Sequence, residues 1–117
     1  MIKRSADYKS VVLEKMRGGE GSVTITHVWE QEELSDKNPN RLFAKLTLKP
    51  NCSIGIHVHE NEDEVFYVMK GEAEANDNGE IVILKEGDTI LTGNGGKHSI
   101  KCISDTPLEL LAVITCY

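Results

Sequence analysis

Apolar residues in this chain recur at every second position rather than every third or fourth. Val23, Ile25, His27 and Trp29 alternate with Ser22, Thr24, Thr26 and Val28, and Leu42, Ala44, Leu46 and Leu48 alternate with Arg41, Phe43, Lys45 and Thr47. Successive side chains of a strand point to opposite faces, so this period belongs to β-structure. Short β-branched or apolar runs follow at 54–58, 64–70, 81–84, 97–103 and 108–115. Turn-forming clusters separate them: Asn76-Asp77-Asn78-Gly79, Glu86-Gly87-Asp88, Gly93-Asn94-Gly95-Gly96 and Ser104-Asp105-Thr106-Pro107. Many short strands at this spacing predict an all-β, antiparallel sandwich or barrel. A helical pattern shows only over Tyr8–Met16, where Gly18-Gly19 would stop it. Glu30–Asn40 is the longest polar connection, the expected place for a mobile loop beside an opening.

At 117 residues, positions 1–117 are expected to form a single domain. The formal net charge is -6 with scattered Lys and Arg, which argues against nucleic acid or an anionic membrane as partner. The first residues, Met1-Ile2-Lys3-Arg4-Ser5-Ala6-Asp7, hold no apolar run of signal-peptide length. Cys52, Cys102 and Cys116 form no CxxC pair and are odd in number, so a reducing cytoplasm is the expected location.

The chemistry gathers on three histidines and a glutamate. His57 and His59 are separated by one residue, which puts both imidazoles on the same face of a strand. Glu64 opens the next run, and a hairpin of that length folds it back beside them. His98 opens a later run after a glycine-rich turn. Three neutral nitrogens and one carboxylate suit one divalent transition metal per chain (Mn, Fe, Ni, Co, Cu or Zn) rather than calcium. Four protein ligands leave open positions on a six-coordinate ion, as activation of a substrate or dioxygen requires.

The surroundings of these residues carry a resemblance. Gly55-Ile56-His57-Val58-His59-x4-Glu64-x6-Gly71 resembles the first cupin motif, and Gly87-Asp88-x4-Gly93-Asn94-Gly95-x2-His98-x3-Cys102 resembles the second. The motifs occupy 51–71 and 87–102. Asn51 stands where the first motif opens with Gly, and Asn is the next best residue for a left-handed backbone. Gly93 replaces a Pro and Cys102 the closing Asn, while all four ligand positions are intact. Glu60, Glu62 and Asp63 crowd the same hairpin and read as a solvated acidic turn, since only Glu64 satisfies both motif spacings. The resemblance implies a double-stranded β-helix, or jelly-roll barrel. It also implies metal binding, with a metal-dependent enzyme acting on a small molecule favoured. Dioxygenase-type oxidation stands ahead of decarboxylation or isomerisation, with Glu64 as ligand and catalytic proton acceptor. The alternative is a non-catalytic module binding or sensing a sugar or other metabolite.

With the imidazoles inward, strand parity places Ser53, Gly55, Glu64, Phe66, Val68, Ile100 and Cys102 inside. Ile54, Ile56, Val58, Val65, Tyr67 and Met69 then face out. The expected substrate pocket is Phe66, Val68, Ile100 and Cys102; resemblance to small cupins adds Leu110, Ala112 and Ile114. Arg41 and Lys45 share a strand face of unsettled direction, so no interior cation is expected, which weakens di-acids and sugar phosphates as ligands. Apolar side chains on the outer face predict a homodimer or a cover from residues 1–29. The glycine clusters at 18–21 and 93–96 lack the Lys-Ser/Thr ending of a phosphate loop and read as turns. His27 reads as a core or interface residue.

Overall fold

The computed structural model describes residues 1–117 as ten strands and three single-turn 3-10 segments. The strands are β1 (Lys9–Glu14), β2 (Ser22–Trp29), β3 (Asn40–Leu48), β4 (Ser53–Val58), β5 (Glu62–Lys70), β6 (Ala73–Asp77), β7 (Glu80–Leu84), β8 (Thr89–Gly93), β9 (Lys97–Cys102) and β10 (Leu108–Cys116). They form a six-stranded sheet in the order β1-β2-β3-β10-β5-β8 and a four-stranded sheet in the order β4-β9-β6-β7. Every pairing is antiparallel. The two sheets pack face to face around one core, the double-stranded β-helix expected from the resemblance. They are not hydrogen-bonded into a closed barrel: β1 and β8 rim the larger sheet, β4 and β7 the smaller. On the rim strand β7, Ile81 and Ile83 are 58% and 50% exposed.

The core is the inward half of the period-two pattern. Val23, Ile25, Ala44, Leu46, Leu48, Phe66, Val68, Leu108, Leu110 and Ala112 come from the larger sheet, and Ile54, Ala73, Ala75, Ile100 and Cys102 from the smaller. Facing alternation from two sheets gives a dry, close-packed interior.

Two readings of the sequence are corrected here. Tyr8–Met16 contains no helix; Lys9–Glu14 pairs residue for residue with β2, from Lys9↔His27 to Glu14↔Ser22. The adjacent β-branched pair Val11-Val12 favours a strand, and the backbone ladder holds it although all six residues are exposed. In β4 the simple parity fails. Ile54 pairs with Ile100 and His57 with His98, so three steps on β4 match two on β9. This bulge turns Ile54 inward, leaving it 1% exposed, while His57 still faces the interior. Asn51 takes the left-handed conformation expected of it, with φ 68°.

Candidate functional site

His57 and His98 face each other in register on β4 and β9. His59 lies just past the end of β4, and its backbone is tied to the turn before His98: its N–H donates to the Gly96 carbonyl, and the Gly95 N–H donates to its own carbonyl, both at 2.9 Å. Glu64 reaches the same point from β5 of the opposite sheet. The site therefore bridges the two layers.

The ligand-type atoms converge. His98 Nε2 lies 3.1 Å from His57 Nε2 and 3.1 Å from His59 Nε2. Glu64 Oε1 lies 3.0 Å from His59 Nε2 and 3.1 Å from His98 Nε2. One such atom from each of the four residues falls within 4.8 Å of all the others. His59, Glu64 and His98 are buried and His57 is half-buried.

Each outer imidazole nitrogen has its own partner. His57 Nδ1 donates to the Gly55 carbonyl at 2.7 Å. His59 Nδ1 meets Glu62 Oε2, and His98 Nδ1 meets the buried Thr92 hydroxyl at 2.9 Å. Phe66 stacks on the His98 ring, with centroids 4.8 Å apart and planes 8° apart. Holding Nδ1 in this way fixes ring orientation and turns every Nε2 inward, the arrangement found around metal-ligating histidines.

Charge follows from these contacts. Burial lowers the His57 pKa, favouring neutral imidazole. The Glu64 carboxylate raises the His59 pKa. For Glu64, burial pushes upward but hydrogen bonds from His59 and His98 outweigh it and hold the carboxyl below its ordinary value. Arg41 grips Glu62 through two hydrogen bonds of 2.7 and 2.8 Å, and chiefly for that reason the Glu62 pKa falls to about 2. Four electron-rich atoms aimed at one buried point repel one another unless protons or a metal cation lie between them. The donor set fits a transition metal.

A cavity of ≈ 140 Å³ opens against His57, His59 and Glu64. Ile25, Leu42, Leu46, Ile54, Phe66 and Ile114 form its apolar wall, and Met16, Arg17 and Arg41 complete it. This corrects the expected pocket. Phe66 and Ile114 line the cavity, but Val68, Ile100, Cys102, Leu110 and Ala112 sit farther along the strands in the packed core, each at most 1% exposed. No cation is buried in the interior, but two exposed arginines, Arg17 and Arg41, border the cavity. Glu30–Asn40 contributes nothing to the lining; the segment beside the opening is the turn after β1. Glu62 is no idle surface acid, since it joins Arg41 to His59. His27 lies on β2, outside the cluster.

Thr92 and Arg17 carried no sequence signal. The Arg41–Glu62 pair could have been suspected only from its position, each residue lying at the start of a strand.

The cupin-domain family model matches residues 44–114, the stretch that carries all four converging side chains. The chain belongs to the cupin family. This cupin is 41% identical over 114 residues to a protein of Thermotoga maritima called "Oxalate-binding protein", covering 97% of this chain and 93% of that one. A crystal structure described as a predicted oxalate decarboxylase from Thermotoga maritima superposes with a TM-score of 0.93 at 39% identity, over 100% of both chains. The KdgF structure from Halomonas sp., at 18% identity, 81% coverage of each chain and a TM-score of 0.67, shares the fold. No helix of this cupin is long and apolar enough to cross a membrane.

Proposed function

We propose that this cupin binds a small dicarboxylate, with oxalate as the type ligand, through one divalent transition metal held by His57, His59, Glu64 and His98. The observation that carries the reading is the largely buried four-residue cluster beside a ≈ 140 Å³ cavity that Arg17 and Arg41 also line. Separations of 3.0–3.1 Å between donor atoms leave a point among them that one ion can share, and three imidazoles with one carboxylate suit a divalent transition metal such as Mn, Fe, Co or Ni. An ion accepting more than four ligands would keep room for the oxygens of a bound carboxylate. The metal, when bound, supplies Lewis acidity toward such an anion. The names of the Thermotoga maritima relatives point to the same ligand.

Size and proton chemistry favour binding over the oxidation or lyase chemistry expected from the resemblance. The cavity falls well short of the roughly 300–1,000 Å³ of pockets for drug-sized molecules, which disfavours catechols and flavonols. Decarboxylation needs a proton for the carbon that loses carbon dioxide. Outside the cluster, the titratable lining residues are two arginines, which do not give up protons near neutral pH. Glu64, hydrogen-bonded to His59 and His98, serves in this reading as ligand rather than free base.

Calorimetric titration of Mn-loaded protein with oxalate tests this. One oxalate per chain is expected, with no binding after the metal is stripped and no formate, carbon dioxide or oxygen uptake. Equal binding to stripped protein overturns the metal-mediated reading, and turnover restores the enzyme.

The homodimer expectation narrows. Ile54 is buried and cannot anchor an interface, and Val65 is half-buried and can offer only part of its surface. Ile56 and Val58 lie on the smaller sheet, while Tyr67 and Met69 lie on the larger, all four being exposed. A two-fold contact that pairs one patch with itself covers one of these faces. A charged residue at Tyr67 and another at Ile56, tested separately by solution mass, identify which face a dimer uses; a monomeric wild type overturns the dimer.

A further inference from the structure

The turn between β1 and β2 is built to approach β4 closely. The Lys15 N–H donates to the Gly21 carbonyl at 2.8 Å, and the Gly18 and Gly19 N–H groups donate to Lys15 and Met16 at 2.9 and 3.0 Å. Glu20 and Ser53 then clasp each other: the Ser53 N–H donates to the Glu20 carbonyl, and the Glu20 N–H donates to Ser53 Oγ, both at 2.9 Å. Two glycines make the approach feasible. A Cβ on Gly19 would fall 2.1 Å from the Ser53 carbonyl oxygen, and one on Gly55 would fall 2.1 Å from the Arg17 carbonyl oxygen. Rigid backbone lies on both sides, so neither position admits a side chain without displacing the turn.

Arg17 sits in this turn at φ 54°, ψ 29°, a left-handed conformation unusual for a residue with a side chain. Strain of this kind persists where surrounding contacts impose it, and it clusters at ligand sites. Arg17 is exposed and borders the cavity on the side of His57, His59 and Glu64. It takes part in none of the chain's ion pairs, whereas Arg41, the other cation of the lining, is committed to Glu62.

We infer that Arg17 selects a doubly charged anion for the cavity. The inference rests on the metal-dicarboxylate reading above and adds the residue that discriminates among carboxylates. Formal charge supplies the reason. A divalent cation offset by Glu64 leaves one positive charge among neutral imidazoles, and the Arg41–Glu62 pair adds none. A monocarboxylate neutralises that site by itself. A dicarboxylate leaves one negative charge over, which the unpaired Arg17 guanidinium balances with hydrogen bonds suited to a planar carboxylate. Gly55 joins the two halves of the device: its carbonyl holds the His57 ring, and its missing side chain admits the Arg17 backbone.

The test compares wild type, Arg17→Gln and Arg17→Lys, all loaded with Mn, in calorimetric titrations with oxalate, malonate and acetate. Metal content by elemental analysis is the control for folding and for the intact cluster. Arg17→Gln is expected to keep its metal and to weaken oxalate about 10- to 100-fold, the range for loss of a charged hydrogen-bonding partner. Acetate should change less than threefold, and Arg17→Lys should recover part of the oxalate affinity. If wild type binds oxalate and Arg17→Gln binds it equally well, Arg17 plays no such part and the inference falls while the metal-dicarboxylate reading stands. An equal loss for acetate and oxalate overturns the selectivity. A wild type that binds none of the three overturns both readings.

Discussion

The same three strands build two different interiors. Along β5, β9 and β10, residues at one end carry Glu64 and Ile114 to the cavity and His98 to the cluster beside it; two to four positions farther on, they carry Val68, Ile100, Cys102, Ala112 and Leu110 into packed core. Burial does not separate these ends: Glu64 and His98 are 4% and 1% exposed, against 0% for Val68 and Cys102. Chemistry separates them. At the core end the inward groups are apolar apart from the Cys102 thiol, which meets the Ser104 and Thr106 carbonyls. At the site end each polar atom is met by another, and Gly55, Glu62 and Thr92 hold the outer nitrogens. An antiparallel sandwich can thus assign stability to one stretch of its inner face and ligand binding to the next.

Mutations should pull the two ends apart. Leu110→Ala removes a fully buried side chain from the core end and is expected to lower unfolding free energy by about 2–5 kcal/mol in urea denaturation. Metal content per folded chain should be unchanged. His98→Ala should do the reverse, abolishing tight metal binding by elemental analysis while destabilising metal-free protein less than Leu110→Ala does. His57→Ala should resemble it, and His27→Ala should keep the wild-type metal content. Equal metal content in all three histidine variants would end the ligand assignment.

A milder perturbation sharpens the contrast. Glu62→Gln leaves the four inner atoms in place and removes the charge that orients His59, so metal affinity should weaken about 10- to 100-fold in a chelator competition. Acid should act on the site end first. Imidazole must be neutral to bind metal, so occupancy should fall as pH drops through and below about 6.5, with the strands still folded by circular dichroism. The smallest effect is on stability. The Glu62 pKa is held near 2, mainly by Arg41, so the stability gained from its depressed pKa is present above the ordinary carboxyl range and lost as pH falls toward 2. The pair is partly solvated, so the loss should be no more than about 1 kcal/mol, and Arg41→Met should flatten that part of the acid titration curve.

How far the sequence could be read divides along similar lines. Spacing alone placed His57 and His59 on one face, and the motif spacings singled out Glu64 and His98, because ligands close together in the chain depend on local geometry. Period-two alternation recovered the inward face of β5 and separated the two faces of β2 and β3 without saying which looks inward. It missed Ile54, since one extra residue in β4 shifts parity without any mark in composition. It also placed the pocket too deep: alternation tells which side faces inward, not how far along the strand the packing stays closed. Arg17 reaches the cavity from a remote turn held by glycine contacts, and no local pattern announces such an approach. Tyr8–Met16 looked weakly helical because its pairing with β2 is a nonlocal fact.

The open rims of the sandwich bear on how this protein fails. On β7 a run of four apolar residues, Ile81-Val82-Ile83-Leu84, has a paired strand on one side only, with two isoleucines turned to solvent. Such a rim is a template for a strand from another chain. Charges stand at both ends of the run, Glu80 before it and Lys85-Glu86 after it, in the manner of gatekeepers that discourage stacking in register. A variant with flawless metal binding is therefore expected to become more prone to fibres if Glu80 and Lys85 are neutralised.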